Sequence, residues 1–146
     1  MKIDLTGKAA VIVGGSGGLG EAMAHTLSEA GAKIALVGRN QAKLDKVAGA
    51  LKAKGADVAG FNADMTSESD VKRLASEVNA KYKNPQILIN SAGINIRKSV
   101  TDFTLAEFQS VVNSSLVTTF LACNAFVPGM KGTGYGRIIN LSSIMA

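Results

Sequence analysis

The 146-residue sequence predicts an open, doubly wound α/β sheet in a single domain. Two observations carry this prediction: five short apolar segments are rich in β-branched residues, and the segments between them have helical periodicity. A glycine-rich segment directly follows the first apolar segment and adds a third. A content of 47% hydrophobic and 18% charged residues is typical of a globular chain and excludes a disordered one.

The predicted strands lie at residues 9–13, 34–37, 58–61, 87–89 and 138–141. Apolar residues in them are continuous and do not alternate with polar ones, which is the pattern of parallel strands buried on both faces. We therefore expect a parallel sheet with helices packed on each side.

The segments between the strands carry apolar stripes at helical spacing. Leu19, Met23 and Leu27 recur at i, i+4 and i+8, and residues 44–51 and 71–78 each repeat the spacing i, i+3, i+4 and i+7. The resulting order, β-α-β-α-β-α-β-α-β, folds through right-handed crossovers into a Rossmann-like sheet.

Two capping-box patterns predict where helices begin. Ser67 is followed three residues later by Asp70, and Thr104 by Glu107, so we expect helices to start just after each hydroxyl residue. The second of these helices is predicted to run from Leu105 past Phe120 and to stop at residues 128–134, which contain proline and glycines.

The sequence contains no helix or strand signal after the fifth strand, so the predicted fold is incomplete at its C-terminal end. A last strand without a covering helix leaves apolar surface open. We expect residues 138–141 to form an exposed apolar edge.

Charge and metal-ligand content narrow the function classes. The net charge is +5, but the lysines are spread along predicted helices without interleaved aromatic residues, so a nucleic-acid partner is not expected. Cys123 and His25 are the only residues of their kinds, which argues against a metal site. No run of eighteen apolar residues and no signal-peptide core occur, so we predict a cytoplasmic protein without a membrane partner.

The glycine-rich segment runs from Gly14 to Gly20 and opens the first predicted helix. It fits two dinucleotide-binding spacings, Gly15-x-Gly17-x-x-Gly20 and Gly14-x-x-x-Gly18-x-Gly20. Residues without Cβ let the backbone approach a pyrophosphate, and the helix N-terminus favours its charge. A flexible turn without a ligand is the alternative; no Gly-Lys-Ser/Thr follows, which disfavours a P-loop nucleotidase.

The end of the second strand indicates which dinucleotide binds. Binders of NAD usually place a carboxylate there, whereas this sequence has Gly38, Arg39 and Asn40. A guanidinium suits the 2′-phosphate of NADP, so NADP is predicted and NAD is disfavoured. The alternative is that Arg39 is an ordinary surface residue and that Asn40 only caps the next helix.

Further motifs follow in order: Asn62-Ala63-Asp64, Asn90-Ser91-Ala92-Gly93 and the segment 136–143. With them, essentially the whole chain resembles the short-chain dehydrogenase/reductase family, and it is similar to members that act as 3-oxoacyl carrier-protein reductases or gluconate 5-dehydrogenases. The resemblance implies hydride transfer between NADP(H) and a small carbonyl or alcohol substrate. It also implies a homo-oligomer, a dimer or tetramer, built partly on the helix over residues 105–126.

The resemblance assigns roles residue by residue. It implies that Ser143 hydrogen-bonds the substrate oxygen and that Ser115 stands at the position of the family's catalytic asparagine. The implied cofactor-binding residues are Gly14, Ser16, Gly17, Gly18, Leu19, Gly20, Arg39, Asp64, Met65, Asn90, Ser91, Ala92 and Gly93.

Several positions depart from the family. Val13 replaces a threonine, Ser91 replaces an asparagine and is expected to weaken a hydrogen bond between central strands, and Ser115 replaces the catalytic asparagine. The family's Tyr-x-x-x-Lys pair does not occur in these 146 residues. The chain alone is therefore predicted to be inactive, and a non-catalytic dinucleotide-binding or interaction module is the alternative function.

Overall fold

A computed structural model describes residues 3–143 as one five-stranded parallel sheet with helices on both sides. The strands are β1 (Ala9–Val13), β2 (Lys33–Gly38), β3 (Val58–Asn62), β4 (Ile87–Asn90) and β5 (Arg137–Asn140). The helices are α1 (Gly18–Glu29), α2 (Gln41–Lys52), α3 (Glu68–Tyr82), α4 (Leu105–Val112) and α5 (Thr118–Met130). A π-helical turn (Asn113–Val117) joins α4 to α5, and a short 3-10 turn (Val100–Asp102) precedes α4.

The strand order is β3-β2-β1-β4-β5, and every neighbouring pair is parallel. Strand β1 lies between β2 and β4, so the chain winds outward in one direction to β3 and then in the other to β5. This confirms the predicted doubly wound fold. Ligands of such sheets bind outside the carboxyl ends of the strands, where the winding direction reverses.

Both faces of the central strands are buried, as their continuous apolar sequence predicts. On one face Ile12 and Leu36 pack with Leu44 of α2; on the other, Leu88 packs with Phe126 of α5. Full burial of each such side chain stabilises the fold by about 1.5–3 kcal/mol.

Strand β5 departs from the prediction of burial on both faces. Ile138 and Ile139 are 44% and 47% exposed, because β5 lies at the edge of the sheet and no described helix covers it. The expectation of an exposed apolar edge at this strand is confirmed for the described residues.

The two predicted capping boxes differ in the structure. At Thr104 the box is complete: the Glu107 amide donates to Thr104 Oγ1 (3.2 Å) and the Thr104 amide donates to Glu107 Oε2 (3.0 Å). At Ser67 only the hydroxyl cap forms, because the Asp70 carboxylate accepts the Asp64 amide instead. Helices α3 and α4 nevertheless begin where the prediction placed them.

The last predicted helix is interrupted, and it ends at Met130, within the predicted range of residues 128–134. The sequence predicts one regular helix from Leu105, whereas the chain widens into the π-helical turn before continuing as α5 to Met130. Pro128 lies inside α5 and does not end it. The proline removes the backbone donor that would bond the Asn124 carbonyl, and buried Phe126 and Met130 hold the last turn against the sheet.

The segment Leu105–Met130 is long and apolar enough to cross a membrane by length and composition alone, and 22% of its most apolar window is buried. In the described fold its residues Leu121, Ala122 and Phe126 pack against the sheet. Among residues 3–143, no cluster of three or more His, Cys, Asp or Glu side chains could hold a metal ion.

Candidate functional site

A cleft of about 250 Å³ lies at the carboxyl ends of the strands, across the point where the winding direction reverses. It is lined by Val13, Gly14, Ser16, Gly17, Gly38, Arg39, Ala63, Asp64, Met65, Thr66, Ser91, Ala92, Gly93, Ile94, Ser114 and Thr118. The cleft therefore collects the segments that follow β1, β2, β3 and β4, together with the π-helical turn.

The glycine turn after β1 is fixed to β2 by the backbone. The amides of Gly14 and Gly15 both donate to the Val37 carbonyl, at 2.9 and 3.1 Å. Gly14 has φ = 81°, a conformation that side chains disfavour, and a Cβ there would stand 3.0 Å from the Ala92 amide. The turn thus brings the segments after β1 and β4 into close contact.

The glycines of this turn have different tasks. A Cβ on Gly20 would stand 2.2 Å from the Gly14 carbonyl oxygen, so Gly20 lets α1 pack against its own turn and does not line the cleft. A Cβ on Gly18 would meet nothing within 4 Å, which leaves open space beside the first turn of α1.

The N-terminus of α1 is open to an anion. No side chain caps it, and the amides of Gly18, Leu19 and Gly20 have no acceptor among the described residues. The first amides of a helix need an external acceptor, and the helix dipole favours a negative one. Leu19 contributes its backbone amide to this set. Its side chain is 69% exposed and does not line the cleft.

Arg39 lies at the other end of the cleft, directly after β2, and is exposed. Its carbonyl accepts a hydrogen bond from Asn62 Nδ2 (2.9 Å), which ties the ends of β2 and β3 together. Asn40 caps α2 by accepting a hydrogen bond from the Lys43 amide, so it has the capping role that the sequence also suggested for it. Ser16 Oγ lies beside Gly38, so a hydroxyl and a guanidinium border the same region.

Asp64 and Met65 line the cleft after β3, and Met65 is buried. Hydrogen bonds from the Thr66 amide (2.9 Å) and the Thr66 hydroxyl (2.7 Å) hold the pKa of the Asp64 carboxyl below its ordinary value. Asp64 is therefore ionised at neutral pH and stabilises its own turn as well as facing the cleft.

Ser91 and Asn90 connect the central strands below the cleft. Ser91 Oγ donates to the Val13 carbonyl (3.1 Å), as does the Ser91 amide (3.0 Å), so serine makes a side-chain bond of its own between the central strands. Asn90 is 4% exposed and does not line the cleft; it hydrogen-bonds Asn140 on β5.

The hydroxyl side chains that line the cleft from this part of the chain are not the one that the resemblance implies. Ser114 and Thr118 line the cleft, whereas Ser115 does not. Ser115 lies under the loop after β4, where a Cβ on Gly93 would stand 3.2 Å from its hydroxyl. Ser143 follows β5 at the same edge of the sheet; it is exposed and is not part of the cleft lining.

Most of the predicted cofactor residues thus meet in one cleft, and the exceptions have a physical reason. Gly20 and Asn90 lie beneath its floor, and Gly18 and Leu19 flank it at the helix start. Seven further residues line the cleft without having been predicted from the sequence: Val13, Gly38, Ala63, Thr66, Ile94, Ser114 and Thr118. All but the last two directly adjoin predicted motifs, while Ser114 and Thr118 enter the cleft through a π-helical turn that carries no sequence signal.

An open parallel sheet with a glycine turn, an uncapped first helix and a cleft at the reversal point defines a dinucleotide-binding α/β protein. The uncapped amides and the open space at Gly18 fit a pyrophosphate. The chain belongs to the short chain dehydrogenase family, whose family model matches residues 8–146.

Three similar proteins illustrate this membership. An uncharacterized oxidoreductase of Staphylococcus aureus strain USA300 is 35% identical over 140 residues, which cover 96% of this chain and 60% of that protein. L-sorbose reductase from Gluconobacter frateurii, solved with NADPH and L-sorbose, superposes with a TM-score of 0.93 at 30% identity, covering 99% of this chain and 55% of that one. A metagenomic short-chain oxidoreductase in complex with NADP superposes with a TM-score of 0.90 at 30% identity, covering 95% of this chain and 63% of that one. The chain therefore spans about 60% of the length of the curated relatives it matches.

Proposed function

We propose that this chain is the dinucleotide-binding part of an NADP(H)-dependent oxidoreductase that transfers hydride between nicotinamide and a carbonyl or alcohol carbon. The single observation that carries the proposal is the cleft, which extends from Arg39 to the loop after β4 and is flanked by the free amides at the start of α1. The two similar proteins solved with NADPH or NADP support the same cofactor.

The preference for NADP over NAD rests on the charge after β2. Arg39 offers a forked set of donors to a 2′-phosphate, and Ser16 Oγ lies on the same side. The carboxylate within the cleft lining, Asp64, follows β3 and is held by Thr66. The residues directly after β2, Arg39 and Asn40, carry no carboxylate that could accept a ribose hydroxyl.

The catalytic roles remain those of the resemblance. We propose that Ser143 orients the substrate oxygen, that NADPH supplies the hydride when bound, and that the 146-residue polypeptide alone does not turn over substrate because it contains no Tyr-x-x-x-Lys pair. A non-catalytic dinucleotide-binding module is the second candidate, favoured by Ser115 at the asparagine position.

We further propose a homo-oligomer with small-molecule substrates. Leu105, Phe108, Leu116 and Phe120 are each more than half exposed along α4, the π-helical turn and α5. Apolar surface of this kind is typical of contacts between subunits.

Cofactor choice is tested by titrating the protein with NADPH and NADH and following ligand fluorescence. The unsubstituted chain should bind NADPH more tightly, and Arg39→Asp should weaken NADPH binding about tenfold or more, since a charged hydrogen-bond partner contributes about 1.5–3 kcal/mol. Lys46→Asp, the same charge change at an exposed position of α2 outside the cleft lining, is the control. Equal affinities for the two dinucleotides, or an unchanged preference in Arg39→Asp, would contradict the proposal.

The enzyme and module candidates separate in an activity assay. The 146-residue polypeptide should show no NADPH-dependent carbonyl reduction. Placed before a C-terminal segment from a family relative that carries Tyr-x-x-x-Lys, it should become active if it is an enzyme part. Turnover by the polypeptide alone would refute the inactivity proposal, and an inactive but NADPH-binding chimera would favour the module.

A further inference from the structure

The loop after β4, residues 92–98, is held to the rest of the described fold by few polar contacts. Within the described chain, the backbone of residues 92–97 makes one hydrogen bond, from the Ile94 amide to Ser114 Oγ (3.2 Å). The far end of the loop is anchored by the ion pair between Lys98 and Glu107 of α4.

Ser114 is itself held firmly. Its hydroxyl accepts from Ile94 and donates to the Val111 carbonyl (3.1 Å), so both of its hydrogen-bonding directions are used. The π-helical turn that contains Ser114 is closed by two hydrogen bonds to the Asn113 carbonyl. The Thr118 amide donates one of them and the Thr118 hydroxyl donates the other (3.1 Å). Turns of this type recur at functional sites because they re-aim side chains of an otherwise regular helix.

The neighbouring Ser115 does not make this contact. Its hydroxyl lies under Gly93, close enough that a Cβ there would stand at 3.2 Å. The resemblance assigns the functional polar side chain of this helix to Ser115, whereas the hydrogen bond to the cleft wall comes from the residue before it.

We propose that Ser114 is a positioning residue for the half of the dinucleotide site that the loop after β4 builds. Ser114 fixes the Ile94 backbone, and Gly93, Ile94 and Ser114 form one wall of the cleft. This inference rests on the proposed dinucleotide function and adds which residue sets the position of that wall.

The sheet order allows the role of Ser114 to be tested separately from cofactor binding as a whole. Arg39 follows β2 and Ile94 follows β4, and β1 lies between them. Two strand spacings amount to about 10 Å. A ligand that carries only the adenosine 2′-phosphate end therefore reaches Arg39 without touching the wall that Ser114 positions.

The test compares NADPH with adenosine 2′,5′-bisphosphate, each titrated by calorimetry against the chain. Ser114→Ala should weaken NADPH binding about three- to tenfold, the usual effect of losing one hydrogen bond, and should change the affinity for the bisphosphate by less than about twofold. Ser114→Thr keeps a hydroxyl and should restore NADPH binding. Ser110→Ala is the matched control: it removes a hydroxyl one turn earlier in the same helix, which donates to the Glu107 carbonyl (2.7 Å) and not to the loop, and it should bind NADPH as the unsubstituted chain does.

Unchanged NADPH affinity in Ser114→Ala would overturn the inference. An equal loss for both ligands, or an equal loss in Ser110→Ala, would also overturn it, because the effect would then be general. Amide hydrogen exchange gives a readout that needs no ligand: exchange at Ile94 should accelerate in Ser114→Ala and not in Ser110→Ala, and unaltered exchange in Ser114→Ala would count against the proposal. If the unsubstituted chain bound neither ligand, the proposed function itself would fail, independently of the exchange result.

Discussion

Asn90 and Asn140, the last residues of β4 and β5, lie in register, and Asn90 Nδ2 donates a hydrogen bond of 2.8 Å to Asn140 Oδ1. Asn90 is 4% exposed, and its Oδ1 has no hydrogen-bond partner among the described residues. The pair therefore joins the edge strand to the centre of the sheet directly beneath the cleft, and Asn140 supplies the closest acceptor for the buried amide.

Removing that acceptor should destabilise the fold. Asn140→Ala leaves the Asn90 amide with only the Cys123 sulfur at 3.8 Å, so the free energy of unfolding should fall by about 1–3 kcal/mol. Urea denaturation measures the change, with Asn95→Ala in the exposed loop as control. Equal midpoints for the Asn140 and Asn95 variants would show that the bond contributes nothing.

Gly18 and Gly20 should separate ligand binding from stability. Gly20→Ala drives a Cβ into the Gly14 carbonyl and should lower the free energy of unfolding by about 1–3 kcal/mol. Gly18→Ala has open space and a helical position, so it should leave stability unchanged or raise it by up to about 1 kcal/mol, yet it should weaken NADPH binding by filling the space beside the first amides of α1. Thermal melts and NADPH titrations of both variants check this; a destabilised Gly18→Ala, or a stable Gly20→Ala, would contradict the division of roles.

The sequence predicts the sheet well because buried parallel strands have to be continuously apolar. The predicted strands at residues 9–13 and 34–37 lie in β1 and β2, and the glycine turn follows from a spacing that only close backbone approach requires. The parts of the cleft contributed by these segments were correspondingly predictable.

The π-helical turn was not predictable, because apolar residues at Phe108, Val112, Leu116 and Phe120 fit a regular helix equally well. The widened turn is held by the Thr118 amide and hydroxyl, which both bond the Asn113 carbonyl, and by one tertiary contact, the hydrogen bond from the Ile94 amide of the loop to Ser114. The half-formed cap at Ser67 has a similar origin, since Asp70 finds a second acceptable donor in the Asp64 amide. Local pattern cannot rank two hydrogen bonds of comparable strength.

The ion pair that anchors the loop after β4 should have a distinctive pH dependence. The Lys98 ammonium, and then the Thr104 amide, lower the pKa of Glu107 from an ordinary value of 4.5 to about 2. Because the pKa is lower in the folded protein, the ionised carboxylate stabilises the fold above pH 4.5, and this contribution is lost as the pH falls from 4.5 towards 2.

Carboxyl carbon NMR of the folded chain should show Glu107 titrating with a midpoint near 2. Lys98→Met should raise that midpoint, whereas Arg97→Met, the adjacent exposed cation, should leave it in place. A midpoint of 4.5 in the unsubstituted chain would mean that the ion pair does not persist in solution.

The exposed apolar residues of α5 and the π-helical turn should determine the association state. Phe120 and Leu116 are 63% and 68% exposed, and burying such side chains between subunits favours association by about 1.5–3 kcal/mol for each fully buried residue. Size-exclusion chromatography with light scattering should find a dimer or larger species, and Leu116→Asp combined with Phe120→Asp should shift it towards monomer by placing unpaired charge in the contact. Val100→Asp changes a residue that is 86% exposed outside this helix and should leave the mass unchanged. A monomeric parent chain, or an equal shift in Val100→Asp, would refute assembly through this helix.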